Sequence, residues 1–460
     1  MMSGNPPPEL ARSEYILSPQ FTMRRRELIA GQAILVKDGK FVEIDGAEEV
    51  FKRYPRHAVV DLPKKMVMPG FIDAHHHLTQ SFGKALSFGE PTEMYRRIWL
   101  PINKIADDDF FYIAAKLAAL ESLRGGFTTI VDAGMREQSH LSSIAAAVRD
   151  VGLRCILTYV CNDAGLVGTT TNYKDIIENA LTHIRRYEHD LLIRPSLSVS
   201  VPEAGSVDML REVAKICSEA GAVFQTHVNE HLSIVERSVL RHGMRPLEYL
   251  DHIGVLGPNV LVGHAALLTA TECKLLLESD TAVAYNPVAS QWRGTAVAPA
   301  AMFAALGIRF GIGTDGTRSD AFRLIDAAEA AQRFTSMQAG DFSFGAGWTW
   351  LDHGTTAGAA AVGLEAVTGA IEPEREADYL IVDIDVPEMT PTWDLPWELV
   401  RIACRDQILG VAVGGRLRLW RGWPTDWDAG ALMQSVSRAA ARIVQRAAID
   451  RVRRPTGSRP

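Results

Sequence analysis

The central part of the chain alternates between short apolar, β-branched runs and longer stretches with helical periodicity. The helical stretches include Phe110–Arg124, Val207–Ala220 and Ala321–Met337. The apolar runs predict eight strands, at Val67–His75, Thr128–Asp132, Cys155–Val160, Ile193–Val199, Val223–His227, Val260–His264, Ala282–Asn286 and Phe310–Asp315. Eight strand–helix units in roughly 300 residues favour a TIM-type (β/α)8 barrel over an open doubly wound sheet, because no GxGxxG motif follows an early strand.

Both ends of the chain have a different pattern, with short strands separated by turns. Ala33–Lys37 and Lys40–Ile44 flank Asp38-Gly39, which is a hairpin signal. Short strands return after Leu364, at Tyr379–Asp383, Ile408–Val413 and Leu417–Arg421. We therefore predict a smaller β-sandwich domain built from both chain ends. The expected division is sandwich over 1–66, barrel over 67–365, sandwich again over 366–434, and a basic helical tail over 435–460.

The tail carries arginines at four-residue spacing within the helical stretch Ser435–Arg454, namely Arg438, Arg442 and Arg446. A basic helix face could indicate an anionic membrane or nucleic acid. One short stripe of arginines on an acidic protein attracts anionic partners only weakly, however. The favoured interpretation is a solvated helix that packs on the body of the protein or on a partner subunit, and we expect a homo-oligomer.

Composition narrows the class of partner. The 460 residues carry 48 Lys+Arg against 55 Asp+Glu, a formal net charge of −7. Because no basic excess calls for nucleic acid, a small neutral molecule is the expected partner. The five cysteines are scattered and never form a CxxC pair, which indicates a reducing compartment. Neither a signal pattern nor a membrane-length apolar run is evident, so the expected location is the cytoplasm.

Polar groups typical of metal sites lie at the ends of several predicted strands. The first ends in Asp73-Ala74-His75-His76-His77, the fifth includes His227, the sixth ends in His264 and the eighth in Asp315. Because the carboxyl ends of barrel strands converge on one site, these side chains should meet. His75 and His77 are two residues apart and share a strand face, whereas His76 points away. Three imidazoles and a carboxylate suit Zn²⁺ or Fe²⁺.

Two further residues are candidates for acid–base chemistry. Glu230 follows His227 by three residues, and beside a metal-activated water a carboxylate that does not bind the metal is expected to shuttle protons. The alternative for Glu230 is an ordinary solvated carboxylate. His264 is either a fourth imidazole ligand or a cation that polarises the substrate and stabilises an oxyanion.

These segments resemble the amidohydrolase superfamily. The stretch Pro69–His77 is similar to its opening HxH motif, and His227-Val228-Asn229-Glu230, Gly263-His264 and Gly313-Thr314-Asp315-Gly316 are similar to its later motifs in the expected order. The resemblance covers about residues 30–420. It implies one metal ion held by His75, His77, His227 and Asp315, with Glu230, His264 and Asp315 as catalytic groups. The absence of Lys from Ile193–Val199 departs from the two-metal branch.

Within the superfamily, His75-x-His77-x-x-Gln80 resembles guanine, 8-oxoguanine and pterin-type deaminases of the deaminase and chlorohydrolase group. The resemblance implies that Gln80 reads the amide edge of an aminopyrimidinone ring; a helix-start cap or a surface residue is the alternative. The loop Asn286–Gly294 departs from the Ser-Asn pattern usual in the group. Trp292, in that loop, either stacks on the heterocycle or simply packs.

The resulting hypothesis is a zinc-dependent hydrolase that removes ammonia from a small heterocycle, most plausibly an oxo-aminopurine or pterin, with iron as the second choice of metal. Asp315 takes a proton from the attacking water, Glu230 protonates the ring nitrogen and His264 stabilises the oxyanion. The alternatives are an S-adenosylhomocysteine- or adenosine-type or triazine aminohydrolase, then a cyclic amide hydrolase, then a metal-binding barrel without activity.

Overall fold

The computed structural model of this chain describes residues 4–90, 93–135, 140–164, 172–336, 345 and 347–452. Its strands form two separate sheets, one of nine strands and one of eight. Within the described residues, no helix is both long and apolar enough to cross a membrane.

The strands are numbered in chain order. The nine-stranded sheet begins with β1 Glu14–Arg24, β2 Glu27–Ala30, β3 Gln32–Lys37, β4 Lys40–Gly46 and β5 Val59–Pro69. The eight-stranded sheet follows with β6 Phe71–His76, β7 Phe127–Asp132, β8 Arg154–Val160, β9 Ile193–Ser198, β10 Val223–Val228, β11 Val260–His264, β12 Ala282–Tyr285 and β13 Phe310–Ile312. The first sheet is completed by β14 Tyr379–Asp383, β15 Ile408–Val413, β16 Arg416–Trp420 and β17 Trp423–Pro424.

Helices fill most of the intervals between strands. They are α1 Ala47–Arg53, α2 Leu100–Asn103, α3 Asp108–Arg124, α4 Leu141–Val151, α5 Tyr173–Tyr187, α6 Val207–Ala220, α7 Leu232–His242, α8 Pro246–His252, α9 Ala270–Glu278, α10 Pro287–Arg293, α11 Ala300–Leu306, α12 Ala321–Ser336, α13 Trp348–Gly354, α14 Thr356–Ala361, α15 Leu395–Arg401 and α16 Ala429–Arg446. Short 3₁₀ helices lie at Pro8–Ala11, Ser81–Ser87, Pro202–Ala204, Pro387–Met389 and Arg405–Gln407, and a π-helical turn lies at Tyr95–Trp99.

The eight-stranded sheet confirms the predicted barrel. Strands β6 to β13 pair in sequence order, and every pairing is parallel. Between the last strand, β13, and the first, β6, the backbone N–H of Asp315 donates to the carbonyl of His75 at 2.8 Å. The chain beyond β13 thus reaches back to β6. The barrel is therefore nearly closed, and the carboxyl ends of all eight strands surround one space.

One strand prediction is wrong. The apolar run Val67–His75 is not a single strand, because β5 ends at Pro69 in one sheet and β6 begins at Phe71 in the other. Gly70 makes the change of sheet: a Cβ atom there would lie 2.1 Å from Thr128 Oγ1. An apolar run shows no break in hydrophobicity when both of its halves are buried, so the pattern concealed this boundary.

Apolar side chains fill the interior of the barrel below the site. This buried cluster joins strand residues Ile72, Ala74, Val131, Ile156, Leu261, Ala282 and Ala284 to residues Ala359, Ala361, Val362 and Leu364. Above it, Gln225 on β10 donates to Thr158 Oγ1 at 2.6 Å and to Ser196 Oγ at 3.0 Å. These bonds from the Gln225 amide nitrogen link β10 to β8 and β9 beneath the strand ends.

The nine-stranded sheet is built from both chain ends, as predicted. Strand β5 lies at its centre, parallel to β1 and antiparallel to β14, so N- and C-terminal segments pair directly. Its two hairpin turns also meet, since a Cβ at Gly415 would lie 3.0 Å from the Cα of Gly39. Side chains from both halves share one buried cluster.

The C-terminal helix begins earlier than predicted. It starts at Ala429, where Asp428 caps it by accepting from the N–H of Ala431 at 3.0 Å, and it ends at Arg446. Leu432, Val436 and Ile443 are buried, whereas Arg438, Arg442 and Arg446 are exposed. The arginine stripe is thus the solvated face of a packed helix. The predicted positions Met337 and 453–460 lie outside the described residues.

Candidate active site

Four histidines and two carboxylates come together where the barrel strands end. The ligand atoms of His75, His77 and His227 lie within 4.8 Å of one another, and so do those of His75, His264 and Asp315. The side chains of His75, His264 and Asp315 are almost completely buried. Strands β6, β10 and β11 and the turn after β13 supply these residues, so the grouping depends on closure of the barrel.

Asp315 divides the site into two parts. Its Oδ1 lies 3.5 Å from His75 Nε2 and 3.2 Å from His77 Nε2. Its Oδ2 lies 4.0 Å from His264 Nε2, on the side of Glu230. We call His75, His77, His227 and Asp315 Oδ1 the metal subsite. Glu230, His264 and Asp315 Oδ2 form the reaction subsite.

The metal subsite fits a zinc ion. Zinc binds nitrogen and oxygen at about 2.0–2.1 Å with tetrahedral geometry, which separates neighbouring ligand atoms by about 3.3 Å. The distances from Asp315 Oδ1 to His75 and His77 match that spacing. Among the described residues, His75 Nε2 is buried without a hydrogen-bond partner, as expected of an atom reserved for a metal.

Hydrogen bonding also prepares His227 as a ligand. Its Nδ1–H donates to the carbonyl of Ser200 at 2.7 Å, which leaves the lone pair on Nε2 directed into the metal subsite. Burial lowers the pKa of His75 and of His227 to about 4, so both rings are neutral near pH 7. A neutral imidazole is the form that binds metal.

His76 lies apart from this cluster, as predicted. Its Nδ1 lies 2.8 Å from Thr314 Oγ1 and 3.1 Å from Asp73 Oδ2. Asp73 also accepts from the N–H of Thr314 at 2.9 Å. These bonds tie β6 to the turn that carries Asp315, so His76 helps to hold the metal subsite without entering it.

Backbone geometry directs two of the reaction-subsite residues. His264 has φ +68° and Asp315 has φ +54°, both in the left-handed region that few residues other than glycine adopt. Such conformations persist where surrounding contacts determine them, and they cluster at functional sites. Here they turn two polar side chains toward Glu230, whose Oε2 lies 3.8 Å from His264 Nε2.

Electrostatics keep both carboxylates of the site ionised. Burial raises the pKa of Glu230, but His264, Arg293 and His231 together hold it well below its usual range. Burial likewise raises the pKa of Asp315, whereas Arg293 and the surrounding histidines bring it well below its usual range. Burial lowers the pKa of His264 to about 4, so this ring is neutral. Its Nδ1 accepts from the amide of Asn286 at 3.3 Å, which leaves the ring proton on Nε2, facing the subsite.

Gln80 lies beside this cluster. Its N–H donates to the carbonyl of His77 at 3.1 Å. A Cβ at Gly316 would lie 3.4 Å from that of His77 and 3.9 Å from that of Gln80, so Gln80 adjoins the turn that follows Asp315. Gln80 precedes the 3₁₀ helix Ser81–Ser87, yet its side chain makes no capping hydrogen bond. The helix-cap alternative is therefore wrong.

Trp292 lies on α10 rather than in an irregular loop. Its ring is 39% exposed and meets Phe88 edge to face, with ring centroids 5.0 Å apart. Trp292 belongs to the segment that follows the seventh barrel strand, and Phe88 belongs to the segment that follows the first.

Sequence reasoning missed Arg293. This arginine ends α10, and its guanidinium forms an ion pair with Glu230 through Nη1 and with Asp315 Oδ2 through Nη2, the latter at 2.8 Å. The available signal was the departure of the loop Asn286–Gly294 from the usual pattern of the group. A lone arginine has no motif, so only the folded arrangement shows that it enters the site.

Comparison with known proteins gives the family. A model described as the amidohydrolase family matches residues 66–418. This chain belongs to the amidohydrolase family. The cluster of candidate metal ligands at the strand ends is thus found in a member of that family, on the barrel that the sequence predicted.

Among curated amidohydrolase relatives, a 5'-deoxyadenosine deaminase of Methanothermobacter thermautotrophicus is 27% identical over 422 residues, covering 89% of this chain and 94% of the relative. A 5-methylthioadenosine/S-adenosylhomocysteine deaminase of Bacillus cytotoxicus is 26% identical over 420 residues, covering 89% and 94%. Among solved structures, an adenosine deaminase from Xanthomonas campestris with bound zinc superposes with a TM-score of 0.86 and 22% identity, covering 94% of this chain and 99% of that one. The last similarity shows the fold.

Proposed function

We propose that this amidohydrolase is a zinc-dependent hydrolytic deaminase that acts on an adenosine-type nucleoside. One observation carries the proposal: a histidine cluster suited to zinc lies directly beside a second cluster of Glu230, His264 and Asp315. The names of the curated relatives supply the substrate class, a nucleoside with a 6-aminopurine ring.

The metal subsite would hold the ion through His75, His77, His227 and Asp315 Oδ1. Bound there, zinc would lower the pKa of a coordinated water to roughly neutral, so that hydroxide is available near pH 7. The chain orients this chemistry, because Asp315 places one oxygen in the metal subsite and the other in the reaction subsite.

Three side chains would handle the protons. Glu230 is ionised, so it must first receive a proton from the attacking water before it can deliver one to the ring nitrogen next to the amino-bearing carbon. Asp315 Oδ2 accepts the proton of the newly added hydroxyl and returns it to the departing amine, which leaves as ammonia. His264 Nε2–H donates to the oxygen on which negative charge develops.

The substrate proposal differs from the first choice made from the sequence. Motif spacing favoured an oxo-aminopurine or a pterin, whereas the curated relatives favour the adenosine-type alternative. The reaction class is the same for both rings, because each has an amidine carbon that can accept water and release ammonia.

Ammonia release from a substrate panel tests this function. The panel contains 5'-deoxyadenosine, methylthioadenosine, S-adenosylhomocysteine, guanine, 8-oxoguanine and isoxanthopterin. We expect the largest kcat/KM with one of the three adenosine compounds. A preference for any of the other three would overturn the substrate proposal, and no release from any ring would overturn the deaminase proposal.

The position of Gln80 favours the second candidate, an oxo-aminopurine or pterin. A side-chain amide offers a donor and an acceptor together, which complements the N–H and C=O of a lactam edge. Gln80 adjoins the turn after Asp315 without capping the helix that follows it. Its side chain is thus not committed to that helix.

The metal proposal has its own test. We expect one equivalent of divalent metal per chain, because the ligand atoms of the three histidines lie within 4.8 Å of one another and Asp315 Oδ1 lies within 3.5 Å of two of them. Chelation should abolish activity, and Zn²⁺ should restore it. Elemental analysis that finds two equivalents per chain would contradict the single-metal arrangement.

A further inference from the structure

The space between the two reactive carboxylates contains a side chain of the protein itself. Arg293 extends from α10 into the reaction subsite and bridges Glu230 and Asp315 Oδ2 with its two terminal nitrogens. Asp315 turns its other oxygen toward His75 and His77, so the guanidinium lies on the substrate side of Asp315 rather than in the metal subsite.

The bridged space is where the substrate would have to react. In the proposed mechanism Glu230 serves a ring nitrogen and Asp315 serves the leaving amine, so the ring nitrogen, the carbon and the amine lie between the two carboxylates. A guanidinium has the same planar N–C–N unit as that amidine, and here each terminal nitrogen of Arg293 contacts a different carboxylate. Arg293 and a reacting amidine therefore compete for the same pair of oxygens.

We propose that Glu230 and Asp315 form a binding site for planar amidinium and guanidinium cations, and that Arg293 is its internal ligand. This inference rests on the proposed function, which defines the amidine as the reacting group. Substrate enters when Arg293 withdraws, so the free enzyme is held in a self-occupied state.

The structure gives Arg293 a route out of the site. Its side chain is 24% exposed although its guanidinium contacts buried carboxylates, so part of the side chain already faces solvent. Arg293 is the last residue of α10, and Gly294 follows it with φ +66°. The withdrawal that we propose is a rotation of this side chain, which lies on α10 and not on a barrel strand.

Binding of methylguanidinium tests the site without any turnover. The zinc-loaded full-length wild type and its Arg293→Ala variant are titrated by calorimetry. We expect the variant to bind methylguanidinium at least tenfold more tightly, because removing an internal competitor restores the competent state. Adding Glu230→Gln to the Arg293→Ala variant should abolish that gain, since one carboxylate of the pair is lost. Arg318→Ala, which removes an exposed arginine in the loop after the eighth strand, is the matched control and should behave as wild type.

Equal affinity in wild type and variant would overturn the proposal, and so would no detectable binding to a folded, zinc-loaded Arg293→Ala protein. Arg293→Met, which keeps the aliphatic stem, is the second variant if the alanine protein fails to fold.

Kinetics provide the second arm. With the best nucleoside substrate, Arg293→Ala should lower KM by about tenfold at nearly constant kcat. This value corresponds to a wild type in which Arg293 occupies the site in about nine-tenths of the molecules. Loss of kcat with unchanged KM would instead show that Arg293 acts on the reacting atoms, which contradicts an internal ligand. If no ring is deaminated by any form while methylguanidinium still binds the variant selectively, the proposed function fails and the cation site stands.

Discussion

At the scale of single residues, the site depends on side chains that serve two neighbours at once. Asp315 is the clearest example, because Oδ1 faces two histidines while Oδ2 faces Arg293 and His264. Its left-handed backbone is what allows this double role, since an extended backbone at that turn would aim the carboxylate elsewhere.

Glu230 is the residue whose chemistry can be removed most cleanly. In Glu230→Gln the shape is kept but no proton can be carried, so we expect kcat to fall by about 10²-fold or more with the metal content unchanged. Glu236→Gln, an exposed position on α7, is the control and should retain full activity. Loss of metal from Glu230→Gln would make Glu230 a ligand, and an unchanged kcat would exclude it from the mechanism.

Gln80 distinguishes the two candidate substrates. An adenosine-type ring lacks a lactam edge, so Gln80→Leu should leave kcat/KM for the best adenosine compound within about threefold of wild type. For a lactam ring the same change should cost about 1–3 kcal/mol of transition-state binding, because one hydrogen-bonding partner is lost. Steady-state kinetics on 5'-deoxyadenosine and 8-oxoguanine measure both effects. A tenfold or larger loss with the adenosine compound would contradict the expected tolerance.

At the scale of helices and strands, boundaries follow local caps and turns. Helix α6 spans the predicted range Val207–Ala220, because Ser206 accepts from the N–H of Met209 at its start and Gly221 adopts φ +61° at its end. Strand β13, by contrast, ends at Ile312 rather than at the predicted Asp315. The chain leaves the sheet there, and the turn that follows places Asp315 in the site.

Helix α5 contains a buried histidine that should make the fold sensitive to acid. His183 donates from Nε2 to the carbonyl of Leu157 at 2.9 Å, and burial lowers its pKa from 6.5 to about 4. The unfolded chain gains a proton below pH 6.5 that the folded chain does not take up until about pH 4. The stabilising contribution of the neutral ring is therefore complete above pH 6.5 and is lost as the pH falls toward 4.

We expect His183 to account for about 1 kcal/mol of the stability lost between pH 7.5 and pH 5.5. His183→Gln keeps a donor for Leu157 but cannot titrate, so its free energy of unfolding should fall by that much less over the same interval. His189→Gln is the control, because its ring is 92% exposed. Denaturant unfolding at the two pH values gives the comparison. Identical pH dependence in wild type and His183→Gln would show that the ring is not buried as a neutral group.

At the scale of the whole molecule, a buried ion pair ties the barrel to the nine-stranded sheet. Arg154, at the start of β8, is 2% exposed, and it contacts Asp378 Oδ2 through Nε at 2.9 Å and Oδ1 through Nη2 at 3.2 Å. Asp378 also accepts from Thr368 Oγ1 at 2.8 Å and from the N–H of Gly414 at 2.7 Å. The carboxylate thus joins a barrel strand to the turn between β15 and β16.

Removing one partner of this pair should destabilise the whole molecule. Arg154→Met leaves Asp378 buried without its cation, so we expect a loss of about 3–5 kcal/mol in the free energy of unfolding. The double variant Arg154→Met/Asp378→Asn should lose less than the sum of the two single losses, because neither charge then remains unpaired. A double-mutant cycle by chemical denaturation measures this coupling. Additive losses would show that the two residues act independently.

Much of the architecture could be predicted from the sequence, since periodicity and local turn chemistry act over a few residues. The eight barrel strands, the pairing of both chain ends and the gathering of His75, His77, His227, His264 and Asp315 all follow from the pattern of apolar runs and polar strand ends. In a (β/α)8 barrel the carboxyl ends of all eight strands surround the same space, so polar residues at those ends lie close together.

Tertiary structure alone decided the rest. The change of sheet at Gly70, the division of Asp315 between two subsites and the entry of Arg293 into the reaction subsite depend on closure of the barrel, which brings segments distant in sequence together. Arg293 is separated from Glu230 by 63 positions along the chain. No local sequence pattern predicts their contact. Residues so far apart along the chain are brought together by the packing of the strands, which periodicity does not describe.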